Sequence, residues 1–293
     1  MRYFDRLHPF SAFIYFLGAV MITMMTRSPV IVSISFLFSM LFYYLITGGG
    51  NFTKSLLFSL PVMLIITLSN PVFSHKGATP LFFVNNVPVT AESLLYGFFS
   101  SLMILAVFYW MKSCGEIIRS DKAVYLFGKV SPALSLTLSM AIEGVNKVGR
   151  YYREIEEAQK GLGIYSESGI WNRMRSRLRI FSSLITVCLE RAAESAGSML
   201  SRGYGLPGRS SAQKYPADIF DICFGAVSAL LCLISAVFIF IGGADSSFYP
   251  HFTISLTEEK SLCLYLCVFA LFSLSVISEI KENIKWHYLR SKI

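Results

Sequence analysis

Hydrophobic positions follow two different patterns along the chain. Six stretches are apolar on every side and almost free of charge: Ser11–Thr26, Val30–Thr47, Leu56–Phe73, Ser93–Met111, Ile219–Ile241 and Ser261–Ser278. Each is close to the roughly 17–25 residues that a helix needs to cross the hydrocarbon of a bilayer. Between the fourth and fifth the pattern becomes a stripe. Leu134, Leu138, Ala141, Val145, Val148, Tyr152, Ile155, Gln159 and Leu162 are spaced by threes and fours, behind Ser131-Pro132, a cap followed by proline at the first helical position. A second stripe repeats the design: Trp171, Met174, Leu178, Phe181, Ile185, Cys188, Ala192, Ser195 and Met199, with Arg202 at the next step. Gly161 and Gly163 stop the first stripe, Gly203 and Gly205 the second, with Pro207 beyond. The pattern predicts two long amphipathic helices of matched design, each ending in a glycine-flanked tip.

Composition agrees with the apolar stretches. Of 293 residues, 54% are hydrophobic and only 15% charged, where soluble domains carry about 25% charged residues. The fold class expected is therefore all-α: a polytopic membrane protein of about six transmembrane helices plus two long amphipathic helices. The first stretch lies near the N-terminus behind Arg2 and Arg6, but "MITMMTR" is a poor cleavage site, and the stretch is taken as a retained span. With both termini cytoplasmic, the exterior loops hold Arg27, Lys76 and Lys260, three of the 26 Lys and Arg, and the other 23 lie inside. The exterior also carries Glu92, Asp245, Glu258 and Glu259. The net charge of +8 is then a topology signature, because the basic residues flank spans or mix with acids, and nucleic acid is not expected as a partner.

Three regions follow. Residues 1–111 hold four spans, joined by the turn "TGGGN" and by an irregular exterior loop from Ser74 to Glu92 containing Pro80, Pro88 and the turn-like Asn85-Asn86. The Leu56–Phe73 span is counted as a crossing, and its Pro61 and Pro71 leave a bent or partly re-entrant course open. Residues 112–216 are the amphipathic block, and 217–293 hold two more spans and the basic tail "KENIKWHYLRSK". The second amphipathic helix carries Arg173, Arg175, Arg177 and Arg179 early, suited to cytoplasm or anionic headgroups. Later come the small residues of "RAAESAGS". Here Ala192, Ser195, Ala196 and Met199 are the candidate positions for crossing another helix at close range.

Catalytic chemistry finds little support. The six cysteines lie mostly in or beside apolar helices, as small filler, and form no CxxC pair. The four histidines are scattered at 8, 75, 251 and 287, with none at the depth of the spans' serines, and there is no HExxH. No catalytic residue, metal ligand or cofactor site is expected. A phosphate-binding GxxxxGK[ST] loop is absent; Gly128-Lys129 lacks the rest of it. An intramembrane protease or lipid-processing enzyme is accordingly disfavoured. A membrane-anchored scaffold or signalling protein with a cytoplasmic coiled coil shares the gross features and is the alternative.

An arginine on an apolar seam followed at once by a glycine stop is suited to docking: guanidinium pairs with carboxylates, glycine admits a neighbouring backbone, and Tyr204 adds an aromatic anchor. "AQKGLGIY" (158–165), "SMLSRGYG" (198–205) and "DRLHPFSAF" (5–13) together resemble the transmembrane (T) component of energy-coupling factor (ECF) transporters. The resemblance implies that two cytoplasmic coupling helices end in Ala-Arg-Gly-like triplets seated in grooves of two ABC-type ATPase subunits. It also implies a partner in the membrane, a substrate-binding S component for a vitamin or transition-metal ion. ATP and Mg would be held by the ATPases, with no cofactor bound directly, in a prokaryotic cell (inner) membrane. Ser201-Arg202-Gly203 matches one triplet, with serine for alanine and Tyr204 beside it. Gly161-Leu162-Gly163 takes the place of the other but lacks its arginine, and the nearest cation is Lys160, two positions earlier.

Overall fold

The computed structural model describes residues 3–26, 28–73, 79–84, 87–163, 169–207, 215–216, 218–242, 246–247, 253–254 and 259–290. In chain order these form α1 (Tyr3–Arg6), α2 (Pro9–Met25), α3 (Pro29–Thr47), α4 (Gly49–Phe73), β1 (Pro80–Val84), β2 (Val87–Thr90), α5 (Ala91–Ile117), α6 (Ser120–Val130), α7 (Pro132–Gly161), α8 (Ile170–Ser201), α9 (Ile219–Phe240), β3 (Ser246–Ser247), β4 (Thr253–Ile254) and α10 (Glu259–Arg290). The chain divides into two compact units, Met1–Arg119 with Tyr215–Ile293, and Ser120–Lys214.

The first unit is a helical bundle. By length and composition five of its helices can cross a membrane: Pro29–Thr47, Phe52–Phe73, Ala91–Ile117, Ile219–Phe240 and Lys260–Arg290. The protein is thus a multi-pass membrane protein, all-helical among the described residues apart from two short antiparallel strand pairs. The sixth expected span, α2, is a shorter apolar helix of 17 residues, about 25 Å at 1.5 Å per residue against a hydrocarbon thickness of about 30 Å. Helix starts follow local chemistry. His8 Nδ1 accepts the Phe10 N–H at 3.3 Å, with Pro9 in the first turn of α2. Thr90 Oγ1 accepts the Ser93 N–H at 3.3 Å to cap α5. Gly48, at φ +76°, ends α3, its N–H donating to the Tyr44 carbonyl at 3.0 Å.

The bundle core is aromatic. Trp110 and Tyr15 are fully buried and meet edge-on at 5.8 Å, and Trp110 also stacks at 5.4 Å on Phe272. Phe4 of α1 enters the same cluster, 5.1 Å from Phe42 and 5.6 Å from Phe224. Some polar groups within the bundle pair with one another, as a low-dielectric interior favours. Trp110 Nε1 donates to Ser35 Oγ at 3.1 Å, and Ser35 Oγ shares a 2.7 Å hydrogen bond with Thr23 Oγ1.

One expectation is corrected here, and one span is lengthened. The Leu56–Phe73 span lies within α4, which is helical from Gly49 to Phe73 with Pro61 and Pro71 inside. Pro71 cannot donate to the Thr67 carbonyl four residues back. At that carbonyl α5 brings a glycine: a Cβ on Gly97 would lie 2.8 Å from the Thr67 oxygen. Close packing of the two helices covers the group that the proline leaves unserved. The Ser74–Glu92 loop, read as irregular, contains an antiparallel hairpin in which Val84 pairs with Val87 and Phe83 with Pro88. Valine and phenylalanine favour strands, and a two-stranded sheet has only edges, where proline is tolerated. The turn residues Asn85 and Asn86, along with Arg27, His75, Lys76, Asp245, His251 and Glu258, lie outside the described residues. Thr79 Oγ1 donates to Glu92 Oε1 at 2.9 Å and ties the hairpin to α5.

The second unit contains α6, α7 and α8. Helix α6, which the periodicity did not reveal, packs along the start of α7 so closely that a Cβ on Gly128 would meet Ser135 Oγ at 3.2 Å. Helix α7 begins at Pro132 behind Ser131 and ends at Gly161, as the sequence indicates. The seams are only partly used. On α7, Tyr152 and Ile155 are half-buried and Gln159 is buried, whereas Val145 is 72% exposed. On α8 the buried residues are Ser176, Ile180 and Leu184. The expected stripe of Trp171, Met174, Leu178, Phe181 and Ile185 lies on the exposed side. The helix is apolar over more than one stripe, so the spacing did not determine which one would be buried.

Candidate functional site

Both tips share a C-cap residue followed by a left-handed glycine. At the end of α8, Arg202 is the C-cap, at φ −87° and ψ 7°, and Gly203 turns left-handed at φ +86°. The Gly203 N–H donates to the Leu200 carbonyl and the Tyr204 N–H to the Met199 carbonyl, each at 3.0 Å. This double closure is the Schellman motif, and only the left-handed residue makes it possible. Ser201 Oγ donates to the Ser198 carbonyl at 2.9 Å, occupying another group of the last turn. Leu206 folds back so that a Cβ on Gly203 would touch its Cδ1 at 3.0 Å. What remains outward is chemistry: Arg202 is exposed, and Tyr204 is 48% exposed.

The end of α7 repeats the cap, the left-handed glycine and the first of the two closing bonds. Leu162 is the C-cap, at φ −79° and ψ −1°, and Gly163 is left-handed at φ +67°. The Leu162 N–H donates to the Ala158 carbonyl and the Gly163 N–H to the Lys160 carbonyl, both at 3.0 Å. Ile164 and Tyr165, which follow in the quoted motif, lie outside the described residues. Gly161 is exposed within the last turn, and Leu162 is 72% exposed. Lys160 does not take over the arginine's place. Its Nζ is 3.0 Å from Glu156 Oε1, one turn back along the helix.

The two helices are also matched in reach. The Arg191 guanidinium stacks on the Tyr151 ring, 4.4 Å from its centroid. Leu162 lies eleven residues beyond Tyr151, and Arg202 eleven beyond Arg191. Each arm therefore extends about 16 Å from this contact to its cap, at 1.5 Å per residue. The small residues singled out for close crossing follow directly after Arg191. Ala192, Ser195 and Ala196 are exposed and Met199 is half-buried, while a Cβ on Gly197 would meet nothing within 4 Å.

Electrostatics along α7 are local. Lys147 Nζ sits 2.7 Å from Glu143 Oε1 and holds that carboxyl below the usual carboxylate range by hydrogen bonding and charge. Among the described residues no three His, Cys, Asp or Glu side chains converge as a metal site, and the six cysteines are free thiols. Sequence reasoning missed one concave feature in the bundle unit. A cavity of about 1040 Å³ is lined by Arg6, Lys281 and Lys285 and by Asp218, Asp221 and Glu282. Its charges balance, so it has no strong preference for either sign of ligand; the basic tail was the only hint of it in the sequence. Compared with known protein families and with curated protein sequences, the chain matches none.

Proposed function

We propose that this chain is the transmembrane component of an ECF-type ABC importer, a non-catalytic scaffold in which α7 and α8 are coupling helices. In this reading α2 is a sixth, short span, and both termini and both tips face the cytoplasm of a prokaryotic cell. Each tip docks on an ABC-type ATPase subunit. The bundle holds a substrate-binding S component, through which a vitamin or transition-metal ion enters. Movement of the ATPases on ATP binding reaches the membrane through two stiff helices.

One observation supports this above the others: two long helices of the same chain end in the same glycine-closed cap, eleven residues beyond the Tyr151–Arg191 contact, and expose the cap residue. A coiled-coil scaffold needs a continuous seam and has no use for matched exposed tips. A helix end transmits force best when it does not fray, and the left-handed closure suppresses fraying. The test is mild-detergent purification of the tagged chain, wild type and Arg202→Glu, with partners identified by mass spectrometry. The proposal expects ABC ATPases and a small membrane protein with wild type, and loss of ATPase from the variant at unchanged membrane insertion. Absence of ATPases from wild type in several detergents points instead to a scaffold.

A further inference from the structure

Where α9 begins and α10 leaves its apolar stretch, opposite charges line one cavity without pairing. The cavity, of about 1040 Å³, lies wholly within the bundle unit. From α10 it receives Lys281 and Lys285, one helical turn apart and both exposed, and from the start of α9 it receives Asp218 and Asp221. Among the described residues neither lysine forms an ion pair with either aspartate. The other two charges of the lining are already matched. Arg6 lies 3.9 Å from Glu282 Oε1, which also accepts the Trp286 Nε1–H at 3.1 Å, and the guanidinium stacks on the Trp286 ring at 5.7 Å. The Asp218 N–H donates to Asp221 Oδ2 at 3.5 Å, and each carboxylate has capacity for further donors.

Two lysines a turn apart repel one another and are relieved by an anion held between them. A simple anion would be opposed by Asp218 and Asp221, and a simple cation by Lys281 and Lys285. A ligand with a phosphate and an ammonium group joined by a short tether satisfies both sides at once. Much of the remaining lining is apolar. Phe220 and Ile284 are exposed, and the apolar row continues along α10 with exposed Ile277, one turn before Lys281. Both helices are long and apolar enough to cross a membrane, and the lysines begin where the apolar run of α10 ends, the depth at which headgroups lie. Cavities for small ligands measure about 300–1,000 Å³, so this one has room for a headgroup and the first part of its acyl chains. We propose that the cavity is a phospholipid site for a zwitterionic headgroup bearing a primary ammonium. Lys281 and Lys285 hold the phosphate, Asp218 and Asp221 hold the ammonium, and Phe220 and Ile284 cover the acyl chains. The bound lipid bridges the start of α9 to the end of α10.

The full chain is purified in mild detergent, stripped of lipid and titrated with dioleoylphosphatidylethanolamine, with bound lipid counted by native mass spectrometry. The proposal expects one tightly held molecule. Dioleoylphosphatidylglycerol has the phosphate but no ammonium, and the ammonium of dioleoylphosphatidylcholine has no N–H. Each should bind about tenfold more weakly or worse, the scale of lost charge-assisted hydrogen bonds. The double variants Lys281→Ala/Lys285→Ala and Asp218→Asn/Asp221→Asn should weaken the ethanolamine lipid by a similar factor. Asparagine keeps a capping oxygen at the start of α9, and unchanged unfolding midpoints of the lipid-free variants check that the bundle is intact. The headgroup comparison uses the wild-type chain alone and decides the matter if a variant does not fold. Equal binding of the three lipids, or binding indifferent to both double variants, overturns the proposal and leaves an adventitious lipid only. Binding of soluble O-phosphoethanolamine as tightly as the lipid overturns the membrane source of the ligand. Absence of any tightly held lipid overturns the site itself.

Discussion

Gly203 holds φ at +86°, a conformation that costs an L-residue with a side chain roughly 1–2 kcal/mol. Gly203→Ala therefore carries that strain into the closing turn of α8. The new methyl would also lie 3.0 Å from Leu206 Cδ1, but Leu206 is 70% exposed and its flexible end can swing outward at little cost. The loss is then close to the backbone strain alone. The turn answers by opening, because the Gly203 and Tyr204 amides bond only to the last turn. At about 1.4 kcal/mol per factor of ten, opening becomes roughly 5–30 times more frequent. Hydrogen exchange of the Gly203 and Tyr204 amides measures this directly, and their protection should fall by that factor while mid-helix amides near Leu184 keep theirs. Gly203→Asn should lose less, since asparagine tolerates the left-handed region. Unchanged protection at Tyr204 in Gly203→Ala would refute the argument that glycine is what closes the tip.

Other consequences are equally specific. Ser35→Ala removes the acceptor of the buried Trp110 N–H and should destabilise the bundle by about 1 kcal/mol, the scale of hydrogen bonds inside membranes, read from denaturation in mixed micelles. Gly97→Ala forces a methyl to within 2.8 Å of the Thr67 carbonyl, a backbone atom that does not yield cheaply. It should cost about 1–3 kcal/mol and weaken engineered disulfide trapping between α4 and α5. Arg202→Ala should reduce recovery of partner ATPase more than Leu162→Ala does, because truncating a charged anchor strands the carboxylate opposite it. On α7 the Glu143 carboxyl titrates below its usual range beside Lys147. The pair is therefore intact above the ordinary carboxylate range and lost as pH falls through the lowered value. Lys147→Ala should raise the Glu143 midpoint in an NMR titration.

Much of the helical plan was legible because a bilayer demands length and the absence of charge, and both can be read without knowing the packing. The ends of α7 and α8 were legible for a related reason: Pro132, Gly163 and Gly203 are backbone signals whose effect is local. What was missed or left open depended on non-local facts. Pro61 and Pro71 break a helix only where nothing covers the freed carbonyl, and Gly97, some thirty residues away in sequence, is what packs there. The buried stripe of α8 was missed because Met174, Leu178 and Phe181 are as apolar as Ile180 and Leu184, so periodicity alone cannot choose between two faces of one helix. Helix α6 is short, with eleven residues, and its fit to α7 comes from Gly128 meeting Ser135, a contact without a sequence signature. The shared cap geometry of the tips was half visible. The glycines stood in the sequence, but the retention of Lys160 by Glu156, which leaves Leu162 without a nearby replacement charge, required the side-chain positions.

The central claim is that Arg202 joins this membrane chain to an ATPase. Its most direct test is MgATP hydrolysis by the chain purified in mild detergent from its native membrane, compared between wild type and Arg202→Glu at equal yield. The account predicts hydrolysis that accompanies wild type and is lost from the variant. Equal hydrolysis in both preparations, or none with wild type across several detergents, would contradict it.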